Sequence, residues 1–403
     1  METAPERTGF DAGRLTGIDD HINRNYIEPG KITGCQILVS RQGIPAYHRC
    51  FGDMDKERGK PTSEETIYRI YSMSKPITSV ALMQLYEKGL FQLNDPVSRV
   101  FPSWKSHQVY VSGQGDDMVT KAPNRPVTFR HMLTHSGGIT YGGTNHPVDQ
   151  AYKEKKVNRR KGETLMSFME NLSQVPLRYE PGERWMYSLS TDVCGALVEQ
   201  LSGMPFADYL EQNIFGPLKM QDTAFYVDAD KADRFSANYQ RNPDKTLKLI
   251  DDPATSNYLT QPSFSSGGGG LTSTMGDYYR FCEMLRRGGE LDGERILGPR
   301  TIDLMRTNHL PGNQDLTRMA IGSFSETANE GVGFGLGFAQ TLGQVEAGGY
   351  GDGDYYWGGA ASTIFWVDPV EDLVVIFMTQ LMPSGTFNFR GQLKNIIYSA
   401  MTD

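Results

Sequence analysis

A chain of 403 residues allows two or three domains, or one large fold with an insertion, and is long enough to bury a substantial core. Its 38% hydrophobic and 22% charged content is that of an ordinary soluble globular protein, and a net charge of −8 argues against a nucleic-acid binder. The four cysteines, Cys35, Cys50, Cys194 and Cys282, form no C-x-x-C pair, so neither a zinc site nor a dense disulfide framework is expected. Cys35 and Cys50 have the spacing to face each other across a hairpin, but the favoured reading is of small buried apolar residues.

The opening Met1-Glu2-Thr3-Ala4-Pro5-Glu6-Arg7 has no basic n-region and no apolar h-region, so no signal peptide is visible. No apolar run approaches the ~20 residues of a membrane span. The expectation is a cytoplasmic protein with no membrane partner. Residues 10–26 read as an amphipathic helix, with Leu15, Ile18, Ile22 and Tyr26 at helical spacing. Cys35–Ser40 and Ile44–Phe51 read as strands joined by a hairpin turn at Arg41-Gln42-Gly43.

A short β-like run, Ile67–Tyr71, leads into Ser72-Met73-Ser74-Lys75, and a helix is expected from Pro76 to Lys88, ending at Gly89. Its interior (Ile77, Val80, Ala81, Leu82, Met83, Leu85) is apolar on most sides, as in a buried helix. A serine at the mouth of a helix with a lysine three residues on is the S-x-x-K arrangement of a covalent acyl-transfer site. Residues i and i+3 share a helix face, so Lys75 is expected beside the Ser72 hydroxyl. A serine hydroxyl is a weak nucleophile without an adjacent base. A free lysine titrates near ~10.4, so burial or a cationic neighbour is needed for it to serve as base near neutrality. The positive end of the helix favours negative charge developing at Ser72. The four letters alone are a weak pattern, and a surface Ser and Lys would also satisfy them.

Residues 90–262 carry helical patterns with irregular connections. The Gly- and Pro-containing stretch 104–126 reads as a loop. Lys153, Lys155, Lys156, Arg159, Arg160 and Lys161 read as a solvated helix face rather than a patch for an anionic partner. Val193, Cys194, Leu197, Val198 and Leu201 form an apolar helical stripe ended by Gly203, and Phe206, Tyr209, Leu210 and Ile214 form the next. The run Gly267–Gly270 lacks the lysine of a phosphate loop, so close backbone packing near a cleft is the better reading. The last hundred residues turn β-like. Gly333–Phe338 alternates glycine with bulk, and Ala361–Val367 and Leu373–Met378 read as paired strands around Asp368-Pro369. A final helix is expected near 388–400. Strands at both ends with helices between predict one α/β (α+β) unit from residues 1–95 and 263–403, with a mostly helical insertion, 96–262, and an active site in the cleft between them.

Two further stretches suit an acyl-transfer site. Tyr187, in Pro181-Gly182-Glu183-Arg184-Trp185-Met186-Tyr187-Ser188-Leu189-Ser190, precedes a helix, and a phenol near a lysine ammonium can share proton transfer. Tyr356-Trp357-Gly358-Gly359-Ala360 opens a β-like run whose glycines let a strand edge approach an acyl group. The N–H groups of Ala360 and Ser72 are the candidate oxyanion hole. The plainer readings are a packed aromatic at Tyr187 and a β-bulge at Gly358-Gly359.

These stretches together resemble the serine β-lactamase and penicillin-binding-protein-like superfamily, and within it the family VIII carboxylesterases and class C β-lactamases. The resemblance runs through Ser72-Met73-Ser74-Lys75, Val127–Gly138, Pro181-Gly182 to Tyr187-Ser188, Phe215–Met220 with Asp222-Thr223, Gly268–Thr274 and Trp357-Gly358-Gly359. It implies a β-lactamase-like fold, an antiparallel sheet flanked by helices plus a helical domain. It also implies Ser72 as the acylated nucleophile and Lys75 and Tyr187 as the proton-transfer pair, with no cofactor and no metal. Two departures stand out. Leu189 occupies the place where β-lactamases and peptidases of the superfamily carry an Asn, and Trp357-Gly358-Gly359 stands where they carry Lys-Thr-Gly. The missing Asn would have bonded a substrate amide, and the missing Lys would have drawn in a carboxylate. An apolar Leu189 and Trp357 suit an uncharged acyl ester.

The expected activity is therefore that of a serine carboxylesterase on short-chain esters, with a small-molecule ester as its partner. An acyltransferase and a β-lactamase of the same fold are the rivals. A silent binding protein on this fold would be expected to lack Ser72, Lys75 or Tyr187. No G-x-S-x-G elbow supports a Ser-His-Asp hydrolase, no H-E-x-x-H supports a metal enzyme, and His131 and His135 read as structural.

Overall fold

The computed structural model describes residues 1–157, 162–321 and 330–403. Alternating apolar runs at the two ends of the chain meet in an 8-stranded antiparallel sheet. Its order is Val332–Phe334, Ala339–Thr341, Tyr355–Gly358, Ile364–Asp368, Leu373–Thr379, Gly34–Arg41, Ile44–Asp55, Lys60–Pro61. The centre is an early strand against a late one, Leu38 opposite Ile376 and Val39 opposite Val375. Both strands are buried along their whole length, so both faces of the sheet are covered.

Successive side chains point to opposite faces. Phe377 meets Phe389 of the closing helix, Phe389–Ser399, with ring centroids 4.6 Å apart. Phe365 turns the other way and meets Tyr278 of the Met275–Arg286 helix at 5.3 Å. Trp357, opposite Phe365 in the register, lies on that second face, where the Tyr278 hydroxyl also donates to the Met73 carbonyl at 3.0 Å. This face carries the S-x-x-K turn.

The helix expected over 10–26 forms as two short pieces, Ala12–Leu15 and Gly17–Ile22, continued by a wide turn over Asn23–Ile27. Leu15, Ile18, Ile22 and Tyr26 are all buried. The turn at Gln42-Gly43 has left-handed φ values of 57° and 77°, the geometry that matches the twist of a two-residue hairpin. Cys35 pairs with Phe51 and Cys50 with Gln36, so the two cysteines stand at adjacent rungs, and all four cysteines are free thiols.

The middle of the chain holds helices at Phe129–Leu133, Pro147–Glu154, Leu165–Ser173, Ser190–Ser202 and Phe206–Leu210. Gly203 ends one of them with φ 70°, a left-handed cap. The stretch expected as a loop at 104–126 instead contains a small hairpin, Val109–Ser112 with Val119–Lys121. Lys153, Lys155 and Lys156 are exposed, and Arg159, Arg160 and Lys161 lie outside the described residues. Gly333–Phe338 is not one strand. Gly337, at φ 96°, bends the chain between Val332–Phe334 and Ala339–Thr341. Among the described residues no helix is long and apolar enough to cross a membrane.

Candidate active site

The strand Ile67–Arg69 delivers the chain to a tight 3₁₀ turn, Tyr71–Met73, which runs straight into the Ser74–Glu87 helix. The helix thus begins two residues after Ser72, yet the i,i+3 relation holds, because a 3₁₀ turn has three residues per turn and stacks i on i+3. Lys75 Nζ stands 3.2 Å from Ser72 Oγ. Ser72 keeps 9% of its surface and Lys75 only 1%. Tyr71, just before the serine, has φ 41°, a left-handed conformation that costs a non-glycine residue roughly 1–3 kcal/mol. It is held by the surroundings: Asn238 Nδ2 donates to the Tyr71 hydroxyl at 2.9 Å, and the Ile70 N–H donates to the Leu271 carbonyl at 3.1 Å.

Lys75 has a second anchor. Its Nζ donates to the Gly268 carbonyl at 2.5 Å, and it lies over the Tyr187 ring, 4.4 Å from the centroid. A cation over an aromatic face is stabilised by the ring quadrupole. Tyr187 in turn accepts a hydrogen bond from the Trp357 indole at 3.3 Å. Ser72, Lys75, Tyr187 and Trp357 therefore form one continuous chain of contacts, drawn from a turn, a helix, a loop and a strand.

His135, Trp185 and Tyr141 surround Tyr187, with ring centroids 5.0, 6.2 and 5.4 Å away. His135 bonds Ser188 through Nδ1 and Thr191 through Nε2. Burial first, and the charge of Lys75 second, hold its imidazole well below the usual histidine range, so it is neutral. His131 caps the Phe129–Leu133 helix. Its Nδ1 accepts from the Thr128 N–H, and burial with Arg125 and Arg130 nearby pushes its pKa down to about 4. Both histidines are thus engaged in packing and capping.

On the strand side, Tyr355–Gly358 ends beside the S-x-x-K turn. A Cβ on Gly359 would stand 2.5 Å from the Ile70 carbonyl and 2.3 Å from Thr363 Oγ1, so only glycine lets the strand come this close. Gly359 donates to the Thr363 carbonyl and accepts from the Ser362 N–H, which folds Gly359 to Ser362 into a tight turn with Ala360 inside it. Leu189 is buried at the start of the Ser190–Ser202 helix, its N–H on the Thr140 carbonyl at 3.4 Å. A separate cavity of about 500 Å³ opens on the opposite face of the sheet, between Tyr356 and the closing helix. Its cations face inward to the fold: Lys394 pairs with Asp354 at 2.5 Å, and Arg390 donates to the Trp357 carbonyl at 3.0 Å, bracing the site strand from behind.

Sequence reasoning named Ser72, Lys75, Tyr187 and Trp357, which the fold brings into contact. The Gly267–Gly270 run, expected to pack its backbone closely near a cleft, does so and supplies the lysine's second anchor through Gly268. Tyr141, whose ring lies 5.9 Å from Lys75 Nζ, and Asp192, which accepts the Gly268 N–H, are not among the residues expected from the sequence. The available signal is an aspartate in the first turn of a helix whose apolar stripe starts at the next residue, Val193, since a carboxylate there is buried and must be satisfied.

An antiparallel sheet with a serine at the mouth of a buried helix and a lysine one turn on is the frame of the β-lactamase-like proteins. The chain belongs to the Beta-lactamase family, which it matches over residues 20–396. It is 31% identical over 365 residues to Protein Rv1367c of Mycobacterium tuberculosis, covering 89% of this chain and 88% of that one. It is 27% identical to Esterase EstB of Burkholderia gladioli, covering 94% of each. Among solved structures, EstCE1, described as a hydrolase with promiscuous acyltransferase activity, superposes with a TM-score of 0.79 at 28% identity, covering 96% of this chain and 98% of that one.

Proposed function

We propose that this chain is a serine carboxylesterase that hydrolyses short, uncharged acyl esters through an acyl-enzyme on Ser72. The observation that carries the reading is the buried Lys75 Nζ at 3.2 Å from Ser72 Oγ and against the face of Tyr187. In the first half-reaction Ser72 Oγ attacks the ester carbonyl, its proton passes to the Lys75–Tyr187 pair, and the alcohol leaves with a proton from that pair. In the second, water adds to the acyl carbon by the same route and frees the acid. The N–H groups of Ser72 and Ala360 are the donors proposed for the carbonyl oxygen as it gains charge. Trp357 and Leu189, in the places of a cation and an amide, favour an uncharged acyl group over a β-lactam carboxylate or a peptide.

Similarity to EstB over 94% of both chains supports the esterase reading. Similarity to EstCE1 supports a second one, in which an alcohol replaces water in the second step and a new ester is released. The test is turnover of p-nitrophenyl butyrate beside a chromogenic cephalosporin, with Ser72→Ala as control and an added alcohol to intercept the acyl group. Ester turnover is expected to dominate and to fall by at least about 10³-fold in Ser72→Ala. Strong cephalosporin turnover with negligible ester turnover would overturn the substrate assignment. Unchanged ester turnover in Ser72→Ala would overturn the mechanism.

A further inference from the structure

The glycine run Gly267–Gly270 is threaded between the two helices nearest the site. A Cβ on Gly267 would stand 2.8 Å from the Thr191 carbonyl and 2.9 Å from Thr78 Cγ2; one on Gly268 would stand 2.8 Å from Asp192 Oδ2. Glycine is therefore required here by space. It brings a cost: a glycine backbone is free to turn, yet the Gly268 carbonyl must point at Lys75.

Two side chains remove that freedom. Thr78, one turn past Lys75 on the Ser74–Glu87 helix, donates its hydroxyl to the Gly267 carbonyl at 2.8 Å. Asp192, in the first turn of the Ser190–Ser202 helix, accepts the Gly268 N–H at 3.1 Å and the Ser266 hydroxyl at 2.6 Å, both on Oδ1. The Gly267 carbonyl and the Gly268 N–H are the two polar ends of one peptide plane. That plane is held from opposite sides by two side chains that are themselves fully buried. The next carbonyl along, Gly268 O, receives Lys75 Nζ.

We propose that Thr78 and Asp192 act together as positioning residues, clamping the 267–268 peptide so that the Gly268 carbonyl fixes Lys75 beside Ser72. Neither touches the reacting atoms. The clamp also ties the helix that carries Lys75 to the helix that follows Tyr187, so both partners of the proton-transfer pair share one support. The proposal rests on the reading of Ser72 and Lys75 as a reacting pair.

The experiment compares Asp192→Ala, Asp192→Asn, Thr78→Val and the Asp192→Ala/Thr78→Val double variant on p-nitrophenyl butyrate. The same variants are scored by the rate at which a fluorophosphonate labels Ser72, which needs the pair but no natural substrate. Loss of alignment is expected to lower kcat and the labelling rate by roughly 10–100-fold in Asp192→Ala and Thr78→Val, with KM held. The double variant is expected to cost little more than either single change, because both release the same peptide. Asp192→Asn keeps an oxygen acceptor at the same place and is expected to retain most of the wild-type rate. Thr78→Val keeps the shape of the side chain, so it reads the clamp even if Asp192→Ala fails to fold. Wild-type kcat and labelling in Thr78→Val, losses confined to KM, or fully additive losses would each overturn the clamp. Turnover and labelling indifferent to Ser72→Ala would instead strike the site reading on which it rests.

Discussion

Trp357 does two things that a lysine in its place would not. It closes the aromatic group around Tyr187, with Phe334 edge-on at 5.4 Å, and it donates its indole N–H to the Tyr187 oxygen. A donor aimed at a phenol oxygen favours the charged phenolate, while the ring face favours the Lys75 ammonium. Trp357→Phe keeps the packing and removes the donor. A neutral hydrogen bond contributes about 1 kcal/mol, so kcat/KM on p-nitrophenyl butyrate is expected to fall by about 3–10-fold without loss of fold. A variant with the wild-type kcat/KM would show that the indole N–H takes no part. At this scale the local half of the site was legible. Ser72 and Lys75 are three residues apart on a helical path, and helix geometry alone brings them together. Asp192 and Thr78 were not legible as a pair, because what joins them is a peptide nearly two hundred residues from one of them.

The strand Tyr355–Gly358 and the Tyr71–Met73 turn touch through Gly359, and the closeness of that touch sets the width of the site. Gly359→Ala is expected to push the two apart, with overpacking of about 1–3 kcal/mol and a loss of ester turnover in step with a lower unfolding midpoint. Gly143→Ala is the control, since a Cβ there meets nothing within 4 Å. If Gly359→Ala retains both midpoint and turnover, the strand does not govern the site. Element by element, periodicity succeeded for most of the elements that have a core face. The stripes at Val193–Leu201 and Phe206–Ile214 fold as helices, and Ile364–Asp368 pairs with Leu373–Thr379 as the apolar runs suggested. It failed at the Val109–Lys121 hairpin. There Val111 and Val119 are half exposed and the chain carries Gly113 and Gly115, so no alternating pattern marks the strands. It also blurred Gly333–Phe338, where alternating glycines suit a strand and a tight bend equally.

Over the whole molecule, buried neutral histidines contribute to the response to acid. His107 lies edge-on to Trp104 at 4.6 Å, with its Nε2 facing the Leu172 carbonyl at 3.3 Å, and burial pushes its pKa down to about 4; His131 is pushed equally low. In the unfolded chain both titrate near ~6.5, so between pH 6.5 and 4 the unfolded state binds more protons and stability rises with pH. Their contribution is fully present above about pH 6.5 and is lost as pH falls toward 4, on the order of 3 kcal/mol for each. The urea midpoint is expected to fall across that window, with a shallower slope in His107→Leu. An unchanged slope in that variant would remove His107 from the account. A second property of the whole molecule follows from the centre of the sheet. Gly34–Arg41 lies between Ile44–Asp55, which is made moments after it, and Leu373–Thr379, which is made more than three hundred residues later. During synthesis the first hairpin must wait with one long apolar edge uncovered, and contacts between such distant segments form slowly. The strand carrying Trp357 reaches the serine only through that late pairing, so a ribosome that stalls before residue 373 would leave Ser72 and Lys75 already translated but without the sheet that completes their site.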